Sequence, residues 1–589
     1  MTARLRPAGL LAHADDRAAR ERRYAAEGWW TAQTLPGYVL GRCGHDPAAL
    51  AVSAAGVSLT RGELAGQVSR AAGSLRRLGI GPGDRVLVQL PNEPGLIVLV
   101  LALARLGAAA VLAVPGLRER ELRHVADTAR ARLVVVSGSA QRGANLETGR
   151  RLAASCPSVR GLIVSGPLAR PGELLLADLI AGEPAAGAAG DPGAPGGPAP
   201  ADVALYLLSG GTTGLPKLIP RTHRDYVCNL KVSAAAAGLG EGSRFLAALP
   251  VGHNFALGCP GVLGTLAVGG SVVLSEARQV AASVEAMAGT GATLAAAVPG
   301  LAVRWAQHAR AEPGLAARLR LRVIQVGGAR LHGTHAREVA AALGATVQQV
   351  YGMAEGLLCF TRLDDPPEVI EWTQGRPACP ADEWRVADEA GNDVLPGQPG
   401  ELLARGPYTI AGYLAAEAEN AAAFAPGGWY RTGDVVRVHH SGNFVVEGRR
   451  KDFINCGGEK VSAEEIEELV VAHPAVAAAA AVAAPAELLG EEVCLFVTAR
   501  AAPPGLRELR AHLTALGVAP YKLPARLQVL DRLPVTAVGK VDKAALRALA
   551  RAGGPAASNP VGGNPANPAN PANPANPANS NPAGISRGE

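Results

Sequence analysis

Short apolar runs alternate with alanine-rich stretches of helical spacing along most of this chain. Arg85–Leu90, Ala131–Val136, Ser271–Leu274 and Arg322–Val326 read as strands. Such runs are apolar on both faces, so the alternation predicts α/β layers around largely buried sheets. The longest apolar stretch, Gly95 to Pro115, carries Arg105 in its middle and Gly107 just after it. It predicts a buried helix followed by a buried strand rather than a membrane span. Pro184 to Pro200 is nearly all Pro, Gly and Ala. It reads as a mobile loop ahead of a strand over Val203–Leu208.

The pattern breaks at Arg449-Arg450-Lys451-Asp452, a charged stretch after Asn443–Gly448. Beyond it a smaller α/β unit is expected. A helix over Ser462–Val471 opens with a capping box, since Glu465 stands three residues after Ser462. A strand follows over Val476–Val482, then a helix over Leu506–Leu516 and a strand over Leu527–Leu530. From about Gly553 apolar content falls away, and Asn-Pro-Ala triplets repeat from Asn564 to Ala578. Proline every third residue forbids helix and sheet ladders, so this reads as a disordered tail. The expected organisation is an extension over 1–27, a large domain over 28–448, a hinge at 449–452, a small domain over 453–552 and the tail over 553–589. The fold class is α/β: a large N-terminal domain of layered α/β subdomains with a small mobile α+β C-terminal domain.

A length of 589 residues exceeds one ordinary core and agrees with more than one domain. The net charge of +6 is scattered, with no basic block interleaved with aromatics. Nucleic acid is therefore not an expected partner. Neither is a membrane, because the N-terminal apolar piece Gly9–Ala12 is too short for a signal sequence. The eight cysteines have no CxxC or zinc spacing and read as free thiols in a reducing cytoplasm.

The segment with the clearest chemistry is Leu207-Leu208-Ser209-Gly210-Gly211-Thr212-Thr213-Gly214-Leu215-Pro216-Lys217. A strand runs into a loop of glycines and hydroxyls that ends in a lysine. Free N–H groups, hydroxyls and the ammonium can all face phosphate oxygens. It is not a Walker A loop, because no glycine directly precedes Lys217 and no Ser or Thr follows it. Five more segments follow in order: His253-Asn254-Phe255, Gly327-Gly328-Ala329, Tyr351-Gly352-Met353-Ala354-Glu355, Tyr430-Arg431-Thr432-Gly433-Asp434 and Val538-Gly539-Lys540. Read singly, Asp434 is a turn residue, Glu355 an acid at a helix start, Lys540 a solvated lysine and His253 a core histidine. Together the six segments resemble the acyl-adenylate-forming superfamily over roughly Gly28 to Arg551.

The resemblance implies a set of roles. Ser209, Gly210, Gly211, Thr212, Thr213, Gly214 and Lys217 would hold the β- and γ-phosphates of ATP, and Glu355 would hold Mg2+. Gly328, Ala329 and Val350 would form the adenine slot, with Tyr351, Gly352 and Val446 also on the nucleotide. Asp434 would accept from the ribose hydroxyls, and Arg449 would touch the ribose–phosphate side. Lys540 would bridge the carboxylate and the α-phosphate, with His253 and Glu355 as further catalytic groups. Lys451 matches the pivot of the small domain. Gly457 and Gly458 would line the passage for the phosphopantetheine thiol of a carrier protein.

Within the superfamily, Gly211–His223, Gly352–Leu357 and Thr361–Asp365 resemble the branch that activates salicylate or 2,3-dihydroxybenzoate for siderophore assembly. Amino-acid-activating domains carry an aspartate where this chain has Asn254, and a neutral amide suits an acid without an amine. Asn254, Phe255, Cys259, Gly327, Gly328 and Leu358 are the implied aryl-acid pocket. Dihydroxybenzoate enzymes have Ser and Val at the positions of Cys259 and Leu358, and tend to have Tyr at that of Phe255. The expected substrate is therefore salicylate, passed on to a phosphopantetheinylated aryl carrier protein. The alternatives are 2,3-dihydroxybenzoate or 3-hydroxypicolinate as substrate, an aryl-CoA synthetase, and an inactive nucleotide-binding scaffold.

Overall fold

The structure is a computed structural model that describes residues 17–552 apart from 55, 140–141, 185–196, 210–214, 276–278, 457–458, 487–489 and 537–538. The phosphate-loop residues Gly210, Gly211, Thr212, Thr213 and Gly214, the passage residues Gly457 and Gly458, Val538, the tail and most of the Pro/Gly/Ala loop lie outside the described residues.

Two large sheets form the body of the first domain. One runs in the order Leu174–Leu175, Leu162–Ser165, Leu133–Ser137, Arg85–Gln89, Ala109–Leu112, Val203–Leu208, Leu218–Thr222, and only the last pair is antiparallel. The other places Leu50–Ala54, Ser271–Leu274, Arg244–Ala247, Leu294–Ala297, Val323–Gly327 and Thr346–Gly352 side by side and parallel, with antiparallel strands at its edges. The Gly95–Pro115 stretch splits as its sequence predicts, into the helix Pro94–Arg105 and the strand Ala109–Leu112, both buried. Among the described residues no helix is long and apolar enough to cross a membrane.

A third, antiparallel sheet carries Trp429–Val438 against Gly400–Arg405 and Phe444–Arg449. The small domain has its own sheet, in which Val476–Ala486 pairs with Gly490–Ala499 and Arg526–Val529 lies parallel beside them. Its helices are Ala463–Val471, Leu506–Ala515 and Lys543–Ala552. The expected capping box at Ser462 is half made. Ser462 Oγ accepts from the Glu465 N–H at 3.3 Å. The Glu465 carboxylate does not return to the cap, because Lys522 Nζ holds both its oxygens at 2.8 Å. A charge-assisted pair outcompetes a neutral N–H for the same acceptor.

The segment before residue 28 contains the helix Arg17–Ala26. Tyr24 is buried, and Arg23 donates to Glu383 at 2.6 Å. Arg224 stacks 3.7 Å over Trp30, whose indole N–H bonds the Pro407 carbonyl at 2.7 Å.

Candidate active site

The phosphate-loop neck is a hairpin. Leu208 pairs with Leu218. The next rung is closed by the Ser209 N–H to the Lys217 carbonyl and by the Lys217 N–H to Ser209 Oγ, both at 3.0 Å. Lys217 Nζ stands 4.3 Å above the Tyr413 ring, a cation–π contact. Tyr413 donates its only proton to Glu355 Oε1 at 2.9 Å. The Tyr430 hydroxyl, 3.1 Å away, must then donate to Tyr413. Burial and the Glu355 charge push both phenols above their ordinary range.

Glu355 is not at a helix start. It lies in a turn between Thr346–Gly352 and Leu358–Phe360. Gly356 has φ +119°, and a Cβ there would fall 2.5 Å from Thr409 Cα, so only glycine fits. The Glu355 carbonyl takes the Ile410 N–H at 2.8 Å.

Asp434 is not a turn residue either. It sits inside the strand Trp429–Val438 where the register against Gly400–Arg405 slips. Gly433 adopts φ +70° at this bulge, and Thr432 Oγ1 bonds the Leu402 carbonyl at 2.8 Å. Bulges re-aim side chains. Here Asp434 faces Arg449 across the register, paired at 2.9 Å, and its second oxygen accepts from the Tyr351 hydroxyl at 2.7 Å. A carboxylate has about four acceptor sites, so two remain. Burial and the neighbouring Asp434 charge raise Tyr351 well above the ordinary phenol range. Tyr351 packs with Val446 in a small apolar cluster. Lys451 belongs to the short 3-10 turn Arg450–Asp452 that follows Arg449.

The residues that the resemblance assigns to the aryl acid begin at the end of the strand Val323–Gly327, where Gly327 lies level with Val350. A Cβ on Gly327 would come within 2.7 Å of the Val350 carbonyl and 3.1 Å of Phe255 Cζ. The residues Asn254–Gly258 form one short buried helix, capped by His253 Nδ1 accepting from the Phe255 N–H at 3.2 Å. Asn254 Oδ1 accepts from the buried Tyr226 hydroxyl at 2.9 Å, which leaves its NH2 group to donate. Cys259 follows this helix, buried, its thiol pushed up by that burial and close enough to Tyr226 to act on its ionisation. Leu358 is also buried and leans toward Gly352, 2.7 Å from where a Cβ would stand.

Lys540 comes to this place from the small domain. The Thr536 N–H bonds the Lys540 carbonyl at 2.7 Å, and Val535 bridges to Val541. Lys540 Cε lies 3.1 Å from a Cβ built on Gly328, whose φ is +84°. Burial and the Arg449 charge lower the Lys540 pKa, and Asp434 and Glu355 oppose them. Burial and the Lys540 charge push His253 down to about 3. The structure thus gathers Lys540, His253, Glu355, Asp434, Arg449 and Gly328 around one place.

Three residues here carry no sequence signal. Tyr413 lies 58 residues from Glu355 and Tyr226 lies 28 from Asn254. Val298 touches the Cβ positions of both Gly328 and Gly539, at 3.5 and 3.8 Å. Each is defined by a contact that only the fold makes.

The AMP-binding enzyme family model matches residues 41–414, and the AMP-binding enzyme C-terminal domain model matches residues 465–540. The chain is 47% identical over 535 residues to a Streptomyces sp protein named salicylyl-CoA synthase / salicylate adenylyltransferase, covering 90% of this chain and 96% of that one. It is 44% identical over 558 residues to a Mycobacterium tuberculosis protein named salicyl-AMP ligase / salicyl-S-ArCP synthetase, covering 93% and 96%. The apo structure of Mycobacterium smegmatis MbtA is similar at a TM-score of 0.69 and 44% identity, covering 90% of this chain and 98% of that one. On sequence and architecture alike, this chain belongs to the AMP-binding enzyme family.

Proposed function

We propose that this chain is an adenylate-forming ligase that joins salicylate to AMP with release of pyrophosphate. It then passes the salicyl group to the phosphopantetheine thiol of an aryl carrier protein in siderophore-type assembly. The observation that carries this reading is the pairing of a neutral amide, Asn254, fixed by Tyr226, with a cation, Lys540, brought in beside Gly328 from the second domain. The names of the relatives support the aryl acid and the carrier thiol. The eight buried free cysteines fit a reducing cytoplasm.

In the first step a carboxylate oxygen of the acid bonds to the α-phosphorus of ATP. The bond to the bridging oxygen breaks, and pyrophosphate leaves with the electron pair. Two anions meet, so positioning and charge neutralisation do most of the work. Lys540 would lie between carboxylate and α-phosphate, Asp434 would accept from the ribose, and Lys217 would face the outer phosphates. Among the described residues no group of three or more His, Cys, Asp or Glu side chains forms a metal cage. A single carboxylate, Glu355, with Oε1 on Tyr413, is a hard oxygen donor and would hold Mg2+ against the phosphates. When bound, that ion neutralises phosphate charge. In the second step the thiol sulfur attacks the acyl carbon, AMP leaves, and the thiol proton goes to solvent.

The test is pyrophosphate exchange with salicylate, 2,3-dihydroxybenzoate, 3-hydroxypicolinate and benzoate, followed by transfer to a carrier protein or to CoA. Salicylate-dependent exchange and faster transfer to the carrier are expected. Absence of exchange with every aryl acid would overturn the reading, and faster transfer to CoA would replace its second half.

A further inference from the structure

Pro220-Arg221-Thr222 stands in the aryl-branch motif, yet none of the roles above uses it. Arg221 is fully buried at the end of the phosphate-loop hairpin. Its guanidinium makes four hydrogen bonds. Nε donates to Asp225 Oδ1 at 2.9 Å and Nη1 to the Ala354 carbonyl at 2.9 Å. Nη2 donates to the Tyr408 carbonyl at 3.3 Å and to Asn229 Oδ1 at 3.4 Å. The same group lies 4.8 Å over the Tyr226 ring.

Each contact leads somewhere. Ala354 directly precedes Glu355, and Tyr408 opens the segment whose Ile410 N–H holds the Glu355 carbonyl. Asn229 donates onward to the Gly258 carbonyl at 2.5 Å, at the last residue of the Asn254 helix. Tyr226 holds Asn254 Oδ1 at the first. One buried cation thus pins the turn that bears Glu355 and both ends of the helix that bears Asn254 and Phe255.

We infer that Arg221 is a positioning residue that sets the nucleotide-side carboxylate and the aryl-acid wall in register with one another. This rests on the assignment of Glu355 and Asn254 to opposite ends of one site. Lysine cannot replace it: a rigid planar fork with five donors serves four acceptors at once, whereas an ammonium is a point charge on a flexible stem. Asp225 is its carboxylate partner, and Thr222 holds that carboxylate's other oxygen twice, through N–H and hydroxyl, both at 2.6 Å.

The test measures KM for the aryl acid and for ATP, and kcat, in pyrophosphate exchange. Its reference is Arg405→Lys, which changes another buried arginine, ion-paired with Glu383 and bonded to the Gly427 carbonyl. Arg221→Lys is expected to raise both KM values together and to lower kcat/KM for the acid by about tenfold or more. Arg405→Lys lowers Tm comparably but leaves all three constants within about twofold. Tyr226→Phe keeps the ring under the guanidinium and removes only the bond to Asn254, so it raises KM for the acid alone. Unchanged constants in Arg221→Lys, or equal losses in Arg405→Lys, would overturn the inference. So would a Tyr226→Phe enzyme whose KM for the acid is unmoved. Should Arg221→Lys not fold, Asp225→Asn carries the same test: both KM values rise together by a few-fold, and movement of neither overturns the proposal. Any carboxylic acid that the unmutated chain turns over serves as substrate, so a failure of the salicylate reading is seen first and separately.

Discussion

The two halves of the site are made of different material. On the aryl side, Asn254 and Phe255 are 4% and 9% exposed, uncharged, and carried on one short helix held at both ends. On the nucleotide side, Lys217, Glu355, Asp434, Arg449 and Lys540 are charges drawn from separate segments, and the last comes from the other domain. A rigid neutral wall suits selection between acids that differ by one hydroxyl. A scattered set of charges suits a reaction that brings two anions together and then exchanges one partner for a thiol. On the proposed function, the contrast would place specificity in the large domain and the first chemical step on a lysine of the small one.

The widest separation of the two halves comes from Lys540→Ala. In the proposed role Lys540 bridges two anions in the first transition state, so adenylate formation is expected to fall by roughly 30- to 1000-fold, about 2–4 kcal/mol. Transfer from a supplied aryl-adenylate stays within about threefold, because the same cation has no developing charge to meet there. Rapid-quench measurement of each half-reaction decides it. Equal losses in both would make Lys540 a structural residue and erase the contrast.

The neutral wall is tested by exchanging its two distinctive residues. A 3-hydroxyl set against the Cys259 thiol meets a weak partner, and Leu358 leaves less room than valine. An unpaired buried hydroxyl loses about 1–3 kcal/mol, roughly tenfold to a hundredfold in kcat/KM. The unmutated enzyme is expected to prefer salicylate to 2,3-dihydroxybenzoate by that factor, and Cys259→Ser/Leu358→Val to shift toward the latter. A preference for 2,3-dihydroxybenzoate before mutation, or no shift after it, removes the role of these two residues.

Much of this was legible in the chain itself, and the reason differs between the halves. Apolar periodicity placed the parallel strands, because a strand buried on both faces must be apolar throughout. The adenine slot of Gly328, Ala329 and Val350 comes from the family resemblance, not from periodicity. Read in isolation, the sequence around Glu355 and Asp434 gives a helix start and a turn. Their true settings, a glycine-dependent turn and a strand bulge, depend on Thr409 and on the register against Leu402. Tyr226 and Tyr413 are silent for the same reason: their partners are remote in sequence, and a hydrogen bond between distant residues leaves no periodic trace. Arg221 lies inside a recognised motif, but its bonds to the Ala354 and Tyr408 carbonyls are equally invisible there.

A smaller effect concerns the contact that brings the two domains together. Arg330, next in sequence after Gly328 and Ala329, pairs with Glu468 of the small domain at 3.0 Å, and both are partly buried. Ser462 Oγ also donates to the Glu447 carbonyl of the large domain at 2.7 Å. Burial raises the Glu468 pKa, and Arg330 works against that shift. The pair forms in the arrangement that delivers Lys540, so Glu468→Ala is expected to slow adenylate formation about three- to tenfold and leave thioester formation unslowed. The exchanged pair Arg330→Glu/Glu468→Arg restores part of the loss. Equal slowing of both half-reactions would show that the contact serves folding alone.

The smallest effect is on acid stability and touches the border between the halves. His253 Nδ1 accepts the Phe255 N–H, and His223 Nδ1 accepts the Leu35 N–H at 3.0 Å, so each ring must be unprotonated at that nitrogen. Burial lowers both, His253 to about 3 and His223 to about 4, from an ordinary value of 6.5. The sign follows from proton uptake. Below pH 6.5 the unfolded chain binds protons that the folded chain refuses, so the unfolded state gains and stability falls with pH. Their contribution is whole above pH 6.5 and is lost progressively toward pH 3 to 4. His253→Asn keeps a side-chain acceptor for the capped N–H and cannot titrate. Its Tm at pH 7.5 is expected to lie near that of the unmutated chain, while its drop between pH 7.5 and pH 4.5 is a few degrees smaller. Lys540→Ala should act in the opposite direction to burial, since removing the neighbouring charge lets His253 titrate at higher pH. An acid-induced drop equally steep in His253→Asn would mean that this ring takes up its proton as readily in the fold as in the unfolded chain, and the neutral side of the site would end before it.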